Sequence, residues 1–485
     1  MEYGIWSLLP PIAAIVLAIK TKQVYVSLGV GIWLGWMVIN NWNPLIGSLA
    51  TIEALVDVFD DAGNTRTIMF SALVGALIMF IQRSGGVQGF IFYLEDKLLR
   101  QEEKNNRKAV QAIAAVVGIL VFVESSISVL TVGALFRPVF DKMNISREKL
   151  AYIADSSSAP ICILIPLNAW GAFVMGLLLT QGYDQPFRMM IKSIAYNFYP
   201  ILAIILVFVL IFTGRDFGPM RKAEKRAQGG QIMWPDGRPM VADEITAVEP
   251  KEGIVPRARN MIIPLATMVI MMPVMLAYTG WHGAGEGSTI QQFFNAIGNG
   301  SGSTSVLVSV IVAIFVSMIL YAVQRIFKLH EMVDLTMKGI SGLMPLALLM
   351  LLAFAMVNVC KSLETGLYVA DITRSWLSPG LVPFVVFLTS CFIAFSTGTS
   401  WGTFGIMIAI GIPMAQSLGA NEIMVIAAVL GGGVFGDHCS PISDTTIIAS
   451  MASASDHIDH VRTQLPYALV IGSITAVIYL VLGFI

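Results

Sequence analysis

The sequence predicts an all-α integral membrane protein of two inverted-topology halves with re-entrant hairpins and discontinuous helices. Three observations predict it: a composition suited to lipid, a series of apolar runs of bilayer length, and polar or glycine-rich interruptions recurring at matching places in the two halves. Of the 485 residues, 56% are hydrophobic and 13% charged, with mean hydropathy +0.76. Soluble chains carry about a quarter charged residues, so lipid is the solvent here.

At about 20 residues per crossing, eight runs read as simple spans: Ile5 to Ile19, Val24 to Ile39, Thr67 to Ile81, Met189 to Phe212, Met261 to Tyr278, Ser303 to Val323, Ile340 to Val359 and Leu465 to Ile485. The N-terminal run has no basic region before it and no small-residue cleavage site, and is expected to be a retained span. Four regions are interrupted. Ala109 to Phe140 breaks at Glu124-Ser125-Ser126, and Leu150 to Thr180 at Asp155 to Pro160. Leu381 to Leu418 breaks at Ser396 to Ser400, and Glu422 to Met451 at Gly431-Gly432-Gly433 and again at Gly436 to Pro441.

Both halves then read as three spans, a broken pair, a broken span and a last span. Residues 1–213 form the first half, 214–260 a polar linker and 261–485 the second. The stretch Ala154-Asp155-Ser156-Ser157-Ser158-Ala159-Pro160 is echoed by Gly436-Asp437-His438-Cys439-Ser440-Pro441, an acid before a Ser-containing turn and a proline. Such duplication with discontinuous helices suits alternating access, because backbone freed by unwinding in the membrane needs partners that bound ions supply. A channel does not need it.

Each broken pair is taken as a hairpin entering and leaving on one side, since the arms of the first are short for a span. Most of the 30 Lys and Arg then gather on one face, leaving Arg66, Arg188, Lys192, Lys361 and Arg374 on the other. The basic face is the cytoplasmic one. The linker is therefore expected in the cytoplasm as a solvated connector and both termini outside, in a multi-pass plasma membrane protein, a bacterial inner membrane one by expectation.

The net charge of −1 and scattered basic residues give no reason to expect nucleic acid. Cys162, Cys360, Cys391 and Cys439 lie in or beside apolar segments without CxxC spacing, which points away from disulfide or metal chemistry. No nucleophile–base pair, metal-ligand cluster or phosphate loop marks an enzyme, and no cofactor is implied.

Acidic residues inside spans are costly and rare without a partner or a task. Asp155, Asp437, Asp444 and Glu124 all stand at or beside breaks and are the candidate ion- or proton-binding groups. A carboxylate in low dielectric holds its proton, and a bound cation displaces it, so one site takes either. Hard cations also want several oxygens, offered by Ser156, Ser157, Ser158, Thr397, Thr399, Ser400, Ser440, Ser443, Thr445 and Thr446. The structural alternative is capping, with Ser440-Pro441 starting a half-helix and Asp444 as the acid of its capping arrangement. His438 either relays protons or bonds a carbonyl.

The stretches GGGVFGDHCSPISDTTIIASMAS (Gly431 to Ser453), FVESSISVLTVGALFRP (Phe122 to Pro138) and LAYIADSSSAPICILIP (Leu150 to Pro166) resemble the NhaC family of Na⁺/H⁺ antiporters. The resemblance implies a secondary transporter of the ion transporter superfamily, whose relatives work by an elevator motion and often as homodimers. It implies Na⁺ and H⁺ as transported or coupling ions, with Na⁺ expected at Asp155 and Asp437. A Na⁺- or H⁺-coupled exchanger of small organic anions or amino acids is the alternative that shares every feature above.

Overall fold

The computed structural model describes residues 3–21, 23–98, 107–122, 125–238, 250–283, 288–373 and 377–485. Helices supply its regular elements. The first half runs α1 (Leu9–Thr21), α2 (Val24–Ile39), α3 (Pro44–Asp57), α4 (Ala62–Arg83) and α5 (Gly86–Leu98), then α6 (Arg107–Leu120), α7 (Ser125–Lys142), α8 (Arg147–Ser156), α9 (Ala159–Leu164), α10 (Ala169–Thr180), α11 (Pro186–Ile194) and α12 (Phe198–Thr213). Helix α13 (Gly218–Gln228) lies in the linker. The second half runs α14 (Arg259–Gly280), α15 (Thr289–Asn299), α16 (Gly302–Val323), α17 (Leu329–Ser362), α18 (Thr365–Thr373), α19 (Val382–Thr397), α20 (Ser400–Leu418), α21 (Glu422–Cys439), α22 (Asp444–Ser453) and α23 (His457–Leu482).

Among the described residues, ten helical stretches are long and apolar enough to cross a bilayer. Their membership differs from the sequence reading. The first two apolar helices are shorter, whereas Pro379–Thr397 and Ser400–Leu418, the arms of the second broken pair, each qualify with 19 residues. The run Met189 to Phe212 is not one span. It divides into α11 and α12 around Ala195 to Asn197, where Asn197 precedes the first residue of α12.

Two packing groups emerge. In one, α4 lies along α17, α14 along α16, and α2 against both α1 and α17. In the other, α21 is embraced by α19, α20, α12 and α23, while α22 packs on α7 and α8. Contacts of α20 with α17 and α18, and of α10 with α4, join the groups.

Small residues allow the closest approaches, as expected where lipid removes most of the hydrophobic drive between helices. A Cβ at Gly75 of α4 would stand 2.1 Å from the Gly339 carbonyl oxygen of α17, and one at Gly339 would stand 2.4 Å from that of Gly75. The Gly431-Gly432-Gly433 run, expected as a break, stays helical inside α21. Its glycines instead form a contact face. A Cβ at Gly432 would meet the Phe387 carbonyl of α19 at 2.7 Å, and one at Gly433 would meet the Phe404 ring of α20 at 2.3 Å.

The linker is more than a solvated connector over residues 214–238. Met220, Ala223 and Ala227 form one buried face of α13, the i, i+3, i+7 spacing of an amphipathic helix. Arg226 grips Glu148 with two parallel hydrogen bonds of 2.9 and 2.8 Å, and the side chains are only 5% and 2% exposed. Lys149 donates to Asp216 at 2.6 Å, and Tyr467 of α23 donates to the same oxygen at 2.7 Å. Further along, Lys251 ties the chain to Glu331 and to the Ile326 carbonyl, on the other packing group.

The glycine contacts generate a paired test. Gly75→Ala should destabilise the protein by about 1–3 kcal/mol through overpacking against backbone, read as a lower midpoint of thermal unfolding in detergent. Gly342→Ala, on α17 with open space around its added methyl group, should leave that midpoint unchanged or slightly raised.

Candidate ion site at two helix breaks

Helix α21 ends at Cys439, with Ser440 as its C-cap, and α22 restarts at Asp444 with Ser443 as N-cap. Pro441 lies in the turn between them rather than inside the new helix, so the expected Ser440-Pro441 start is shifted by three residues. The reason is local. The Ser440 hydroxyl donates to the Phe395 carbonyl of α19 at 2.7 Å, which fixes Ser440 as the end of one helix. Gly398, between α19 and α20, adopts φ +70° and packs so tightly that a Cβ there would stand 2.7 Å from the Ile442 carbonyl oxygen. The two breaks are thereby pressed together.

Asp437 stands one turn before its break and is 2% exposed. Ser400, the first residue of α20, donates to Oδ2 at 2.9 Å, and Ser443 donates to Oδ1 at 2.6 Å. Thr445 reaches Oδ1 at 3.5 Å and lies 3.0 Å from the Ser443 hydroxyl, while Thr446 donates to the Asp437 carbonyl at 3.2 Å. Hydroxyls that donate to a carboxylate keep lone pairs free. A carboxylate with hydroxyls from several helix ends is an oxygen set suited to a hard cation.

The matching break in the first half separates α8 from α9, with Ser157 as C-cap and Ser158 as N-cap. Asp155, next to last in α8, is fully buried. Gln464 of α23 donates to its Oδ2 at 2.7 Å and also to the His438 carbonyl. The His460 Nε2 lies 3.5 Å from the same Asp155 oxygen. Among the described residues, Asp155 Oδ1, both His460 ring nitrogens and Gln464 Oε1 are buried without a hydrogen-bond partner, an unusual concentration of polar capacity. The breaks meet through His438: its Nε2 is 2.7 Å from the Ser156 hydroxyl and its Nδ1 is 2.9 Å from the Tyr199 hydroxyl. One ring nitrogen of a neutral imidazole donates and the other accepts, so His438 joins two hydroxyls on either side of the core.

Of the residues expected from the sequence, the fold gathers Asp437, Ser400, Ser443, Thr445 and Thr446 into one cluster. Asp155, Ser156 and His438 fall in an adjoining one. Ser157, Ser158 and Thr397 turn their hydroxyls back to the carbonyls of Ile153, Asp155 and Ile393. Thr399 is the N-cap of α20 but makes no capping bond with its side chain. Asp444 is the first residue of α22, after the Ser443 N-cap, and its side chain lies outside the described residues, as does all of Glu124. Sequence reasoning missed Gln464, His460 and Tyr199. Gln464 and His460 stand before the expected span Leu465 to Ile485, whereas α23 begins at His457 and buries both. Their i, i+4 spacing at the polar end of an apolar run was the available signal.

A multi-pass helical chain with buried carboxylates at facing helix breaks has the construction of a secondary transporter. Residues 173–484 match the Na⁺/H⁺ antiporter family, and the chain belongs to that family. An uncharacterized protein of Haemophilus influenzae is 32% identical over 99% of this chain and 91% of its own length. A malate-2H⁺/Na⁺-lactate antiporter of Bacillus subtilis is 34% identical over a segment covering 24% of this chain and 28% of that protein. The Na⁺/H⁺ antiporter NhaC of Alkalihalophilus pseudofirmus is 31% identical over 22% of this chain and 27% of its own. The YdaH transporter of Alcanivorax borkumensis shares the fold at TM-score 0.58 and 13% identity, over 90% of this chain and 89% of that one.

The two-way bond of Gln464 sets a prediction. Gln464→Leu removes the donor to both Asp155 and the His438 carbonyl, and should cost about 1–3 kcal/mol of stability, measured by thermal unfolding of the purified protein.

Proposed function

We propose that the protein exchanges Na⁺ for H⁺ by alternating access, with the Asp437 carboxylate as the group that takes either ion. The buried carboxylate, approached by hydroxyls from α20 and from the α21–α22 break, carries this reading. Ser400, Ser443 and Thr445 would complete the oxygen shell of the cation. When Na⁺ leaves, a proton neutralises the carboxylate and the hydroxyls revert to donors. Asp155 at the mirrored break is the second ion or proton position. The echo of its motif at Asp437 supports two inverted halves, and an elevator-like displacement of the group around α21 is the motion proposed.

A test uses purified protein in liposomes with an internal pH indicator. An imposed Na⁺ gradient should move protons, and Asp437→Asn should abolish the exchange while the protein stays folded, because an amide carries no exchangeable charge. A purely structural role predicts the opposite, since the Asn side-chain oxygen still accepts a hydrogen bond from a hydroxyl. Ser443→Ala should raise the half-saturating Na⁺ concentration about tenfold by removing an oxygen ligand, roughly 1.4 kcal/mol. Similarity to the malate–lactate antiporter supports a second reading, an organic-anion exchanger. Proton movement that appears only when malate or lactate is added would favour it.

The orientation proposed places the linker in the cytoplasm, and the 280–302 segment and both termini outside, in a bacterial inner membrane. All four native cysteines are buried. In a Cys-free background, Gln231→Cys should react with an impermeant thiol reagent only from the cytoplasmic side and Thr289→Cys only from outside. Both positions are exposed, and labelling of both from one side rejects this topology.

A further inference from the structure

A cavity of about 570 Å³ opens where α6 begins, α12 ends and α13 crosses them. Five basic side chains line it, Arg107, Lys108, Arg215, Arg221 and Lys225, against two acidic ones, Asp216 and Glu224. Both acids are already engaged. Asp216 takes the Lys149 ammonium and the Tyr467 hydroxyl. Glu224 takes Arg107 at 2.9 Å and both the backbone N–H and hydroxyl of Ser146, at 2.9 and 2.7 Å. Lys108 donates to the Phe212 carbonyl at the end of α12. Arg215, Arg221 and Lys225 are exposed and make no ion pair among the described residues.

The position of the cavity identifies its solvent. Helix α12 is apolar to its last turn, and Ile205, Val209 and Phe212, at i, i+4 and i+7, form an exposed outer stripe. Charge begins abruptly at Arg215. Leu210 and Ile211 of the same turn form the apolar wall of the cavity. A pocket that is basic on its water side and continuous with a lipid-facing stripe sits at the headgroup level of the bilayer.

We propose that this cavity binds the phosphate-bearing headgroup of an anionic phospholipid, with an acyl chain lying along Val209 and Phe212. The three unengaged cations supply the charge, and Gln111 and Gln228 supply neutral hydrogen-bonding groups. The site is wired to the transport core. Glu224 holds Ser146, the N-cap of the helix that carries Asp155, and Asp216 holds Tyr467 on the helix that carries His460 and Gln464. A bound headgroup therefore braces both helices at their shared end. The binding claim rests on membrane placement alone. Only the expected effect on transport rests on the proposed antiport.

Phosphatidylglycerol is the probe, and the whole chain is used. Native mass spectrometry of the detergent-solubilised protein should show retained phosphatidylglycerol in preference to phosphatidylcholine. The variant with Arg215→Ala, Arg221→Ala and Lys225→Ala should retain it about a hundredfold more weakly, and replacing the two arginines by lysine should preserve binding. The substituted residues are exposed, so unfolding midpoints without lipid should match. Equal retention of phosphatidylglycerol by parent and variant, or of both lipids by the parent, overturns the proposal. Protection by soluble glycerol phosphate equal to that by phosphatidylglycerol reassigns the cavity to a free anion and overturns the lipid assignment. Where antiport is active, phosphatidylglycerol in the liposomes should raise its rate in the parent and not in the variant. A rate equally raised in both removes the coupling, and absent antiport leaves the mass-spectrometric result to stand or fall by itself.

Discussion

A carboxylate placed within a bilayer must be surrounded by donors or hold a proton or a cation, because neither lipid nor bulk water is there to solvate it. That constraint organises the molecule around Asp437. Two hydroxyls reach its two oxygens from different helix ends, Ser400 from α20 and Ser443 from α22. Each of those ends exists only because a helix was interrupted. The interruptions in turn free backbone groups that must be satisfied nearby, and Ser440 does so by bonding the Phe395 carbonyl. The breaks, the glycine face of α21 and the close approach of α19 are consequences of one requirement, that polar atoms in the membrane interior find each other.

Much of this was legible in the chain itself. Membrane solvent, helix order and the positions of most breaks follow from apolar run length and from clusters such as Ser396 to Ser400. Residue pattern also marked Asp155 and Asp437 as the acids at corresponding breaks. The triple glycine misled because flexibility and close packing leave the same mark in a sequence. Only the facing surface, Phe387 and Phe404, tells which applies. Gln464 and His460 escaped because a polar residue at the end of an apolar run is ambiguous between loop and helix, and burial by a distant element decides the matter.

The linker carries a similar lesson in electrostatics. Its composition is that of a solvated segment, yet charged residues are solvated equally well by counter-charges already fixed on a protein surface. Arg226 and Glu148 are a matched fork and carboxylate with almost no exposure, geometry in which Arg differs from Lys. Such a pair is strongly specific in position because removing either partner strands a buried charge. The linker thus reads the register of α8 at its cytoplasm-facing end in the proposed orientation, far along the chain from the second half to which it leads.

Asp437 and His438 are neighbours on one helix, and successive residues of an α-helix point in directions about 100° apart. One faces the hydroxyl cluster of α20 and α22, the other Ser156 and Tyr199 of the first half. The last turn of α21 is thus a shared axle between two sockets. Any turning or sliding that loosens the carboxylate from its hydroxyls also drags the imidazole against partners on the opposite half, so the two clusters cannot change independently. Coupling between halves of the chain is therefore built into a single peptide bond, with no relay of intervening side chains required.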